Sequence, residues 1–235
     1  GSGNTIVDSI SGIVATLKQG DGGALPTRSA TGIVMVGTGP TSSSSNAGGY
    51  IDVNLDAVVF GGAITVEVVV MWNAFNHYSR AFGCGNGNSD YFYVGNNLAT
   101  GELRWTVRQG STSKAITSGS TTDLTLGIRH HIVTTVVGTT MKSYIDGVLK
   151  GTNTGTGSEP TSTTRSDCYI GKNHGSLGYL SGEVSSLKLY SGAMTQADVT
   201  AAYETAWLFL EFYWDFRGGS GNTIVDSIGG IVATL

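Results

Sequence analysis

The sequence predicts an all-β sandwich, and three observations carry that reading. Gly is frequent and Pro rare (36 and 3 of 235 residues), while runs of helix-favouring Glu and Lys are missing, so short strands joined by turns are expected. Residues 63–72 (AITVEVVVMW) are β-branched, aromatic at the end and continuously apolar after Glu67. That is the pattern of a central strand, with Glu67 on its less buried face. Asp146-Gly147, set between two apolar runs, is a two-residue hairpin turn. At this length one domain of about 200 residues fits, with chain enough for a sizeable core.

The remaining elements follow in order. Residues 5–17 hold two short apolar runs around the turn-like pair Asp8-Ser9, and Gly20–Gly23 is a loop. Residues 32–36 (GIVMV) read as a buried strand, 38–49 as a Ser/Gly loop, and Tyr50–Val53 as a half-buried strand. Ser79–Gly87 and Ser89–Val94 are two strands joined by a Gly/Asn turn. In Glu102–Gln109, Leu103, Trp105 and Val107 share one face and Arg104, Thr106 and Arg108 the other. His130–Val137, Met141–Ile145 and Val148–Lys150 follow; after a loop at 151–166, Cys168–Ile170 resumes a strand. Glu183–Tyr190 alternates imperfectly, which predicts a bulge. Thr195 and Asp198 form a capping box that opens one short helix near 195–206, with Val199, Ala202 and Tyr203 on one face.

The order SRAFGCGNG, HHIVTTVV with TTMKSYIDGVLKG, CYIGKN, and YLSGEVSSLKLYSGAMTQADVTAAYE resembles laminin-G-like domains of the concanavalin A-like lectin/glucanase superfamily, in the branch related to pentraxins. The resemblance runs from about Tyr50 to Glu204 and is most specific in YIDGVLKG and GEVSSLKLYSGAMTQADV. It implies a jelly-roll sandwich of two antiparallel sheets with a short helix near the end. Pentraxin-like domains hold calcium at one rim, and by position Asn88, Asp90 and Asn173 would supply ligands here. Lys172, His174 and Gly175 add no carboxylate to that set, whereas calcium takes six to eight oxygens. The rival reading makes all three turn residues that cap backbone groups.

One feature lies outside that pattern. Residues 219–235 (GSGNTIVDSIGGIVATL) repeat residues 1–17 (GSGNTIVDSISGIVATL) with one change, Ser11 to Gly229. The expectation is one tandem period, residues 1–218, followed by the start of the next at 219–235. Domains of the resembled family open with an aromatic strand, and here that strand falls after the helix, within 207–218 (EFYWDFR at 211–217). It can fold back into its own domain or enter a neighbouring unit. Because residues 1–17 already fill the place of their duplicate, a neighbouring unit is the expected host of the tail at 219–235. Phe212, Tyr213, Trp214, Phe216, Ile224 and Val225 would then be the assembly strands. The aromatic run at 206–216 is read as buried structure, with a stacking platform for sugars as the rival.

Catalytic chemistry is not legible. No Glu-x-Asp-x-x-Glu strand occurs, Glu67 stands alone, and no G-x-S-x-G elbow or zinc-type His/Cys spacing is found. An enzyme is therefore not expected, and no cofactor beyond the calcium weighed above. Charged residues are 13% with net charge −4 and no Lys/Arg cluster, which argues against nucleic acid. No apolar run reaches the length of a membrane span. Cys84 and Cys168 are either two buried thiols or a disulfide. The expected role is a structural repeat unit of an extracellular filament or array, on a cell or virion surface, whose partner is a neighbouring copy. The alternative is a glycan- or protein-binding adhesin module in which tandem copies give avidity.

Overall fold

The computed structural model describes residues 4–7, 13–37, 47–155, 158–174, 178–207, 213–216, 223–225 and 232–234, the last three stretches by backbone pairing. The strands are β1 Thr5–Val7, β2 Val14–Gly20, β3 Thr27–Arg28, β4 Ile33–Met35, β5 Gly48–Val53, β6 Ile64–Ala74, β7 Arg80–Asn86 and β8 Asp90–Asn96. They continue with β9 Leu103–Gln109, β10 Thr112–Thr117, β11 Arg129–Val137, β12 Thr140–Ile145, β13 Val148–Asn153, β14 Asp167–Ile170 and β15 Ser181–Ser191. Helix α1 (Gln196–Ala206) precedes β16 Tyr213–Phe216, β17 Thr223–Val225 and β18 Val232–Thr234.

Two sheets form the sandwich. The first runs β1-β2-β5-β14-β7-β8-β9-β10 and the second β13-β12-β11-β6-β15-β4-β3, with antiparallel neighbours throughout. Alternation along each strand sends Phe82, Phe92 and Trp105 inward from the first sheet and Val66, Val68 and Trp72 inward from the second. All six lie in one continuous apolar core. Asp146 and Gly147 both take positive φ (52° and 77°), the turn whose twist matches its flanking strands. The bulge expected in 183–190 falls between Val184 and Ser186. Cys84 and Cys168 sit opposite one another in the β7–β14 register, fully buried, and are joined by a disulfide.

The capping box opens α1 as its sequence requires: the Thr195 hydroxyl accepts from the Asp198 amide, and the Asp198 carboxylate accepts from the Thr195 amide. The helix covers an outer patch of the second sheet, where Val133, Tyr144, Tyr190, Met194 and Val199 form a small separate cluster. This cover corrects one expectation. Glu67 does point to the outer side of β6, yet it is 1% exposed. Its carboxylate is held by Lys188 Nζ at 3.0 Å, His131 Nε2 at 3.2 Å and the donating Tyr190 hydroxyl at 2.6 Å.

The aromatic strand takes one of the two hosts open to it. β16 lies parallel to β15 of its own chain, pairing Ser186 with Tyr213 through Leu189 with Phe216. The reason is the length of β4: it pairs only with Gly182–Val184, which leaves the rest of that edge of β15 for another strand. Its host is therefore its own domain, the first of the two alternatives. β17 and β18 pair only with each other among the described residues, as a separate hairpin. Phe212, the Asp8-Ser9 turn and most of the 38–49 loop lie outside the described residues, as do the side chains of Tyr213, Trp214, Phe216, Ile224 and Val225.

Candidate functional site

The outer face of the first sheet differs from the rest of the surface, and the strand register explains how. Positions that alternate with core residues place Asp52, Tyr169, Gly83, Tyr93, Thr106 and Ala115 in one row across six strands. The next row carries Asp167, Gly85, Tyr91, Arg108 and Ser113. β7 thus presents glycine to the middle of the face, flanked by tyrosines. At Gly85 a Cβ would come within 2.4 Å of the Asp90 carbonyl oxygen.

Arg80 occupies the space over Gly83, its Cδ 3.3 Å from where a Cβ would stand. Its guanidinium lies 3.9 Å from the centre of the Tyr93 ring and 5.2 Å from that of Tyr91. Burial lowers the Arg80 pKa to about 10, so it remains charged near neutrality. His174 closes the space from above. Its Nε2 lies 2.8 Å from the Asp167 carbonyl, which can only accept, so Nε2 carries the proton. Nδ1 is then the acceptor for Arg80 Nη1 at 2.5 Å. Burial first, and the adjacent Arg80 charge second, press the His174 pKa down to about 4, which keeps the ring neutral.

The aromatic groups left half-exposed form a strip. Tyr50 meets Tyr169 edge-on at 5.4 Å, Tyr169 lies 5.9 Å from His174, and His174 stacks on Tyr91 at 5.3 Å with 23° between planes. Lys172 Nζ stands 4.4 Å from the Tyr50 ring centre and 4.9 Å from that of Tyr169. Arg108 lies over Tyr91 at 5.9 Å. The Tyr169 hydroxyl donates to Asp167 Oδ1 at 3.2 Å; burial and that carboxylate raise its pKa, so the phenol stays protonated. The strip thus offers flat apolar faces bordered by donors and cations. An apolar ring face backed by oriented polar groups suits a molecule with one apolar side and many hydroxyls.

Of the three calcium-rim residues only Asp90 is a carboxylate. Asn88 is exposed in the β7–β8 turn, and Asn173 lies just before His174. Asp90, at the start of β8, faces a cation already: Arg165 Nη2 stands 3.7 Å from its Oδ1. No group of three or more His, Cys, Asp or Glu converges among the described residues. Glu67, the carboxylate of the central strand, is enclosed beneath α1 with its ion-pair and hydroxyl partners.

Sequence reasoning missed the strip because its members come from five separate segments. The signal was nonetheless present: YIDV, CYIG and DYFYV each set tyrosines at positions alternating with buried residues. β10 was likewise missed, since TSKAIT alternates weakly.

Two antiparallel sheets with an aromatic outer face define a lectin-like sandwich. The family model of the laminin-G type, described as the concanavalin A-like lectin/glucanases superfamily, matches residues 44–200, and the chain belongs to that family. The native heptameric SAP-like pentraxin from Limulus polyphemus is similar in fold (TM-score 0.50, 16% identity, 88% of this chain and 94% of that one). Domain 4 of AbnA, a GH43 extracellular arabinanase from Geobacillus stearothermophilus in complex with arabinotriose, is similar at a TM-score of 0.63. It shares 16% identity over 84% of this chain and 92% of that one. The CBM40 of Ruminococcus gnavus IT-sialidase, bound to α2,3 sialyllactose, is similar at 0.51, with 12% identity over 60% and 83% of the two chains. At these identities the likeness is one of fold. A comparison with curated proteins finds no match.

Proposed function

We propose that this chain is a non-catalytic carbohydrate-binding module and that the outer face of its first sheet is the binding face. The observation that carries the reading is the continuous half-exposed strip Tyr50–Tyr169–His174–Tyr91, with Lys172 beside it. A pyranose or furanose ring lays its C–H face on such a strip while its hydroxyls reach the flanking donors. Support comes from neighbours of the same fold whose structures hold arabinotriose and sialyllactose. The Cys84–Cys168 bridge supports placement outside the cell or on a surface. A glycan array followed by calorimetry tests the reading. Tyr50→Ala with Tyr169→Ala is expected to weaken binding by at least tenfold, about 1.4 kcal/mol, with unfolding temperature little changed. Cleavage of the bound glycan, or unchanged affinity in the double variant, overturns it.

A second reading has its own observation. The tail hairpin repeats the first hairpin residue for residue: Thr223–Thr234, Ile224–Ala233 and Val225–Val232 answer Thr5–Thr16, Ile6–Ala15 and Val7–Val14. This supports a repeat unit of a surface filament or array whose partner is another copy, with glycan binding made multivalent by repetition. Electron microscopy of concentrated protein tests it: a regular axial repeat is expected, and dispersed particles at every concentration overturn it.

A further inference from the structure

We propose that the edge of β5 is an exchange site for a second copy of this chain, filled by the tail hairpin β17–β18 of that copy in place of the acceptor's own β1–β2. The inference rests on the repeat reading and specifies the contact through which copies join. In the acceptor, β2 pairs Ala15 with Val53, Thr16 with Asp52 and Leu17 with Ile51. Ile6, Ala15 and Leu17 are buried at this end of the core, so the hairpin supplies apolar packing as well as hydrogen bonds. The tail carries the same residue at each of these places, as Ile224, Ala233 and Leu235. The single difference between the copies, Ser11 against Gly229, lies outside every paired position.

Two further observations point to an exchange. The opposite edge of β5 is taken by β14, so the tail hairpin and the acceptor's own would compete for a single edge. And β17–β18, three residues a side, pair with no third strand among the described residues. A hairpin that short is marginal in water, and its twin is held by exactly the support it lacks, the edge of β5. In its own chain that edge is occupied by the longer pairing from Ala15 to Gly20. Between copies, each seated tail hairpin releases the acceptor's own and restores the pairings of Ala15, Thr16 and Leu17, while the chains become linked head to tail. Such a contact is heterologous and need not close.

Chains of residues 1–235 test this by cross-linking. Thr16 and Asp52 are register partners on the outer face, so a Thr234→Cys donor and an Asp52→Cys acceptor come opposite one another only if the tail occupies the acceptor's β5. On mild oxidation, mixed dimers are expected to rise with concentration and to fall at least tenfold when the donor also carries Ile224→Asp. Mixed dimers no more abundant than with the Ile224→Asp donor overturn the proposal. So does a chain carrying both cysteines that cross-links only within itself. Should Asp52→Cys fail to fold, a fluorescein-labelled peptide of residues 219–235 is titrated onto the unmodified chain. Saturable binding lost with Ile224→Asp supports the exchange, and equal retention of both peptides overturns it. An axial repeat seen by microscopy without cross-linking would leave the array reading standing and remove this contact from it.

Discussion

At the scale of single residues, His174 joins structure to the proposed binding face, because its two ring nitrogens have different tasks. Nε2 anchors the ring to the Asp167 carbonyl and Nδ1 accepts from Arg80. Protonation removes the acceptor and sets a second cation against the guanidinium. The folded pKa, about 4, lies below the ordinary 6.5. The stabilisation is thus complete above pH 6.5, declines as the unfolded chain takes up the proton, and is lost as pH falls through about 4. Glycan affinity of the folded protein is expected to be flat from pH 8 to pH 5 and to drop at least several-fold near pH 4. His174→Gln, whose amide can both donate and accept, should lack that step. Calorimetric titrations across pH check it, and identical profiles for the two proteins would remove His174 from the site. None of this was legible from His174 alone. In sequence it was one of four histidines without metal spacing, and its role depends on Asp167 and Arg80, which only the strand register brings to it.

At the scale of elements, α1 shows how much a pattern reveals and where it stops. The capping box, the Asp146-Gly147 turn and the bulge in β15 were all legible, because each is fixed by residues within four positions of one another. Burial of Glu67 was not, since the cover comes from a helix more than a hundred residues later. Beneath that helix Glu67 is held well below the usual carboxylate range; burial opposes its charge, but Lys188, His131 and Tyr190 outweigh burial. With the folded pKa depressed from an ordinary 4.5, the contribution is full above pH 4.5 and is lost progressively as pH falls further. Glu67→Gln is expected to cost roughly 3 kcal/mol at pH 7, the scale for breaking a buried ion pair. The difference from the natural protein should shrink below pH 4.5. Urea unfolding at a series of pH values measures both, and a constant difference down to pH 3 would show that the carboxylate's charge is not what stabilises the patch.

At the scale of the whole molecule, one strand and one hairpin that follow the helix have different standing. β16 completes an edge of the second sheet, whereas β17–β18 duplicate strands that the first sheet already has. Sequence made the duplication plain and suggested both hosts for the aromatic strand. It could not decide between them, because the choice depends on where β4 stops along β15. Two truncations separate the roles. Removing residues 219–235 takes away only the duplicate, so the shortened chain should keep its unfolding temperature within about 2 °C and its glycan affinity unchanged. The concentration-dependent association proposed for the whole chain should be absent from it. Removing residues 208–235 also strips β16 and exposes the backbone of β15 at Ser186–Leu189 as an unpaired edge. That protein should unfold at least 5 °C lower and aggregate, as measured by thermal denaturation with light scattering. If the two truncations unfold alike, β16 contributes nothing to the sandwich. The edge of β15 would then be a vacant place, and the aromatic strand would be free to serve another chain.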